Sequence, residues 1–118
     1  MNIFENIIIT DIQEPVIVHS QKGRQFQMKN RLYFGLSLCI SGQITYTMNG
    51  KKFVSDKNCA VLLPKGSSYS LSGEKEGLFP LINFDCNNLK CDEIVVIPLD
   101  NPKANISDFN TIKNLFTK

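Results

Sequence analysis

The dipeptide Asn49-Gly50 stands between two segments of alternating character, and it limits the chain more than any other feature. Asn-Gly tolerates positive φ at two consecutive residues, as the tight two-residue turn of an antiparallel hairpin requires. On one side, residues 43–48 put Ile44, Tyr46 and Met48 on one face; on the other, residues 51–55 complete the pair. The stretch before has the same period of two. Leu32, Phe34, Leu36, Leu38 and Ile40 alternate with Tyr33, Gly35, Ser37 and Cys39. That spacing predicts a strand with one buried face, followed by a turn at Ser41-Gly42. No helix is expected anywhere between Leu32 and Phe84.

The remaining chain repeats this theme. Val16-Ile17-Val18 after Pro15 reads as a short strand, and residues 21–24 read as a turn with Gly23 free to take positive φ. Residues 59–63 are apolar throughout, so burial on both faces is predicted, and Pro64 ends the run. Residues 65–68 turn the chain into a short strand around Tyr69-Ser70-Leu71. Ser72 to Gly77 reads as a polar loop, with further strands over residues 79–85 and 93–97. Many short strands separated by turn residues argue for an all-β antiparallel sandwich or barrel.

After Pro98 and Pro102 the period becomes helical. Phe109, Ile112 and Phe116, with Leu115 beside them, make an apolar stripe. The helix is predicted to start near Ile106, capped by Asn105 or Ser107 with Asp108 in its first turn, and to run to Lys118. No Gly or Pro stops it, which suggests that more polypeptide follows. The stripe must find a cover, either its own barrel or a second copy, and a homodimer is expected.

Composition narrows the function. A length of 118 residues suits one domain. The net charge of +2 is too weak to argue for nucleic-acid binding. No apolar run approaches the roughly 20 residues of a membrane span. Residues 1–5 lack the basic start of a signal peptide, so a cytoplasmic location is expected. In that compartment Cys39, Cys59, Cys86 and Cys91 read as reduced, mostly buried thiols, with a Cys86–Cys91 redox pair as the alternative. His19 is the single histidine and reads as a surface or half-buried strand residue. The glutamates are scattered, and Asp85 stands alone on its strand. No catalytic set, metal site or cofactor is therefore expected. Arg31 and Lys65 at strand edges read as solvated, or alternatively as anion clamps. Tyr46 and Tyr69 read as core aromatics with satisfied hydroxyls, or alternatively as ligand contacts.

The stretch RLYFGLSLCISGQITYTMNGKKF, then AVLLPKGSSYSL, then LFPLINFD resembles the N-terminal regulatory domain of AraC-family transcription regulators, in the version common in low-GC Gram-positive bacteria. Ser41-Gly42, the Pro64-Lys65-Gly66 corner, Tyr69 and Ile82-Asn83-Phe84 carry the resemblance best. It implies a cupin-like double-stranded β-barrel (a jelly roll) with an N-terminal arm over residues 1–103. It also implies a linking and dimerisation helix beginning at residue 104. In the family, a C-terminal pair of helix-turn-helix motifs binds DNA, and that half lies outside this chain. The implied role is effector sensing, with no enzymatic activity and no cofactor. The alternatives are a small isomerase-like cupin enzyme and a non-catalytic β-sandwich binding module. Carried over residue by residue, the family's ligand positions fall on Ser41, Leu71, Phe79 and Leu81. Three of the four are apolar, so the pocket suits a sugar poorly. It takes a more apolar effector or is filled by its own side chains.

Overall fold

The computed structural model describes residues 7–116. The expected helix end at Lys118 and the reading of residues 1–5 lie outside the described residues. Ten strands precede one helix: β1 (Ile8–Ile12), β2 (Val16–Ser20), β3 (Gln25–Met28), β4 (Phe34–Ser37), β5 (Gln43–Met48), β6 (Lys51–Ser55), β7 (Cys59–Leu63), β8 (Tyr69–Lys75), β9 (Gly77–Asn87), β10 (Val95–Pro98) and α1 (Pro102–Phe116). All pairings are antiparallel. One sheet runs β1-β9-β4-β7-β10, with β2 also on β9; the other runs β3-β8-β5-β6. The two sheets face each other as an open, sandwich-like jelly roll, in keeping with the all-β jelly roll expected from the sequence.

The hairpin forms as its chemistry requires. Asn49 and Gly50 have φ of 51° and 78°, and Met48 pairs with Lys51 across the turn. Gly23 turns at φ 87°. No helix interrupts residues 32–84. All five residues of β7 are buried, because its two faces serve two apolar layers. Val61 and Leu63 face the other sheet and pack with Ile44, Tyr46, Leu71 and Phe79. Ala60 faces outward, where Leu38 and Phe109 of α1 cover it. Burying Phe109 to 2% exposure stabilises the helix on the sheet by about 2–3 kcal/mol.

Several expectations change. The strand expected over Leu32–Ile40 is regular only from Phe34 to Ser37. Leu38 and Ile40 continue the ladder through bonds from their N–H groups to Pro80 O and Leu78 O, at 2.7 and 2.9 Å. Leu32 is 78% exposed, so the buried face is shorter than its alternation. Residues 72–75, expected in a loop, extend β8. Ser72 and Glu74 point outward, and the inward position is Gly73, whose missing side chain hid the alternation. The last strand lies at Val95–Pro98, slightly later than expected. β1 and β3 go beyond the strands that the pattern predicts.

The helix begins earlier than the stripe suggests, at Pro102. Asn101 caps it, with Oδ1 accepting the Ala104 N–H at 3.3 Å. Proline at the first helical position forgoes an N–H that would have been unpaired anyway. Asn105, Ser107 and Asp108 are therefore interior helix residues. The expected buried face divides along the axis: Phe109 is buried, Ile112 is half-buried, and Leu115 and Phe116 are exposed. The helix is anchored by Ile106 and Phe109, and its last turn has no described cover.

Candidate functional site: a cationic hollow between the sheets

Along β4 and one residue beyond it, the large side chains Phe34, Leu36 and Leu38 share the outward parity. The inward parity carries Gly35 and Ser37. Inward space is left unfilled, and a cavity of about 190 Å³ lies there between the sheets. Ser37, Leu63, Phe79 and Leu81 of the larger sheet wall one side, with Val18 of β2. Ile44, Tyr46, Tyr69 and Leu71 wall the other, and Phe26 and Met28 of β3 lie at its edge. Arg24 and Arg31 are the two charged residues in the lining, which contains no acid.

Arg31 departs most from expectation. It is 7% exposed, where the sequence suggested a solvated strand edge. The Pro64–Ser67 corner causes this. The Arg31 N–H donates to Ser67 O at 3.0 Å, and Gly66 N–H donates to Arg31 O at 2.7 Å. The Ser67 hydroxyl donates to Pro64 O at 2.6 Å and stiffens the corner. So held, the side chain can only run inward. Its Nε donates to the Tyr69 hydroxyl at 3.1 Å and its Nη1 to Tyr33 O at 2.9 Å. The guanidinium lies over Gly35, where a Cβ would meet Arg31 Cζ at 2.7 Å. A larger residue there would force the guanidinium to move. At the rim, Arg24 stacks over the Phe26 ring, 5.5 Å from its centroid.

The tyrosines meet edge to face at 5.6 Å between centroids. Burial pushes the Tyr46 phenol up to about 12, with the neighbouring Tyr69 adding to the rise; Ser37 and the two arginines oppose it. Tyr46 is thus a neutral hydroxyl at physiological pH.

Of the six sequence-derived pocket residues, Tyr46, Tyr69, Leu71, Phe79 and Leu81 line this cavity. Ser41 does not. It sits exposed at the β4–β5 turn, its Oγ accepting the Leu78 N–H at 3.4 Å. The turn carries its side chain to the outer end of the sandwich, where a separate shallow hollow includes Gln43, Asp56 and Lys75. Arg24, Phe26 and Ser37 were missed, and Arg31 was read first as solvated, with an anion clamp as the alternative. The readable signal was the pair of small residues on one parity of β4.

Other candidate groups lie elsewhere. His19 is exposed on β2 and bonds to Glu76 at 2.8 Å. Lys65 pairs with Asp85, 2.9 Å from both carboxylate oxygens, so neither is free for chemistry. All four cysteines are free thiols. Burial pushes Cys39 up to about 11, helped by Asp56. Among the described residues, no group of three or more His, Cys, Asp or Glu could hold a metal ion. No described helix is long and apolar enough to cross a membrane.

No protein-family model matches the chain, and no curated protein matches it. Solved structures do share its fold. ToxT from Vibrio cholerae O395, bound to (E)-4-(8-methylnaphthalen-1-yl)but-3-enoic acid, superposes with a TM-score of 0.67 at 13% identity. The match covers 91% of this chain and 49% of ToxT, so the chain spans about half of that protein. The EutQ protein of Clostridium difficile gives 0.56 at 16% identity, covering 67% of this chain and 68% of EutQ. A cupin superfamily protein from Desulfitobacterium hafniense gives 0.54 at 11%, covering 69% and 79%. Together with the two-sheet topology, these likenesses show that the chain has a cupin-type jelly-roll fold.

Proposed function

We propose that this chain is the effector-sensing domain of a bacterial transcription regulator of AraC type, as the resemblance implies. A small molecule enters the cavity between the sheets, and its binding biases α1 and whatever protein follows. One observation carries the reading: the interior is hollow, and five of the positions that the resemblance and the tyrosine pattern single out converge on that hollow. ToxT, an AraC-family regulator, supports it, since its structures include complexes with a substituted butenoic acid and with an unsaturated fatty acid. The mechanism is linkage: a ligand that binds one arrangement better shifts the population toward it.

Dimerisation and DNA binding belong to the same proposal. Leu115 and Phe116, 62% and 41% exposed, offer an apolar end of α1 to a second copy or to following helices. The intact regulator would work in the cytoplasm. Sequencing the gene beyond codon 118 tests the regulatory half. A reading frame that continues into two helix-turn-helix motifs is expected. A stop codon there would overturn the regulator and leave a small-molecule binding module.

A further inference from the structure

We propose that the cavity takes a compact organic monocarboxylate, a ring-sized or short branched apolar body whose single carboxylate pairs with Arg31. The proposal rests on the effector-sensing reading and names the chemical class of the effector. It begins with an imbalance of charge. A buried ion without a counter-ion is costly, and proteins pair or hydrate such groups. Arg31 is 7% exposed, yet no ion pair among the described residues involves it or Arg24. Its two hydrogen bonds go to neutral oxygens, Tyr69 Oη and Tyr33 O. A guanidinium has five N–H donors, so three remain for a guest. The two bonds, with Gly35 beneath, fix the plane of the fork, and a fixed fork matches a carboxylate in bidentate fashion. Arg24 at the rim adds a second positive charge and no acid opposes it.

Size and polarity set the rest of the molecule. Beyond the arginines and hydroxyls the walls are apolar, with Leu71, Phe79 and Leu81 among them. An inorganic phosphate would leave oxygens facing those walls unpaired. The volume of about 190 Å³ is close to that of an apolar cavity of about 150 Å³ known to hold benzene, which admits a body of roughly six to eight carbons. A long alkyl chain exceeds it.

Calorimetric titration of the 118-residue chain with sodium benzoate, benzamide, sodium oleate and inorganic phosphate tests this. Benzoate is expected to bind about tenfold or more tighter than benzamide, its neutral isostere, since bonds to charged groups are the stronger ones. Oleate and phosphate are expected to bind more weakly than benzoate. Arg31→Gln should erase the benzoate preference. If that variant fails to fold, Arg24→Gln at the rim should still reduce benzoate affinity and leave benzamide unchanged. Benzamide binding as tightly as benzoate, or benzoate giving no heat while neutral indole binds, overturns the carboxylate and leaves the sensing reading standing. Oleate binding more tightly than benzoate overturns the size limit. If indole and a library of small fragments also fail to bind, the sensing reading falls with the proposal.

Discussion

Adding one methyl group at Gly35 tests whether the buried guanidinium is placed as described. An ideal Cβ there would lie 2.7 Å from Arg31 Cζ and Nη2 and 2.9 Å from Nη1. Ordinary carbon contacts lie at about 3.5–4.0 Å, so the guanidinium must retreat by roughly 1 Å. That movement stretches the bonds to Tyr69 Oη and Tyr33 O, now 3.1 and 2.9 Å. Bonds to charged groups contribute about 1.5–3 kcal/mol each, and the cavity lets the side chain recover part of this. Replacing glycine also lowers the entropy of the unfolded chain, which returns about 0.4–1 kcal/mol. The expected net loss for Gly35→Ala is about 1–3 kcal/mol. Urea denaturation followed by circular dichroism measures it, in the wild type and in Arg31→Ala. With the guanidinium removed, the methyl group should cost at least about 1 kcal/mol less, a coupling well above the usual additivity error. Equal cost in both backgrounds, or no cost in the wild type, would refute the close approach.

Other expectations are independent of the cavity's occupant. The Tyr46 phenol, pushed up to about 12 by burial, holds its proton longer folded than unfolded. Stability should therefore be intact below pH 10 and fall by up to about 2–3 kcal/mol toward pH 12; an ultraviolet titration should show one of the three tyrosines ionising late. Cys39 and Cys59, both buried and raised in pKa by burial, should resist a thiol reagent at pH 8 that modifies all four cysteines in denaturant. Phe109→Ala should cost about 3–5 kcal/mol, and Leu115→Ala no more than about 0.5 kcal/mol; equal effects in thermal melts would contradict the described docking of α1.

The hairpin was legible because Asn49-Gly50 encodes a backbone requirement directly. Alternation in Leu32–Ile40 gave a strand but not the layer that its large residues enter. Phe34, Leu36 and Leu38 point away from the second sheet, toward α1 and the outer apolar layer. The cavity is the complement of that choice, written in the small residues Gly35 and Ser37. Arg31 was hidden for a tertiary reason. Its inward course depends on hydrogen bonds to a corner more than thirty residues later, and no local pattern marks such a tie. Ser41 was misplaced because a position carried over by resemblance does not report which end of a turn a side chain faces. The helix start was displaced because Asn101-Pro102 begins a helix whose first turn carries no large apolar residue.

The central claim is that the hollow between the sheets receives a ligand. Methyl-resolved NMR during titration with benzoate tests it most directly. Ile44, Leu63, Leu71 and Leu81 face the cavity, whereas Leu36, Leu62 and Ile82 line an apolar hollow on the outer face of the larger sheet. The account predicts saturable shifts at the first group with the second group still. Shifts confined to the outer face, or none at any concentration of benzoate, indole or the fragment library, would contradict it.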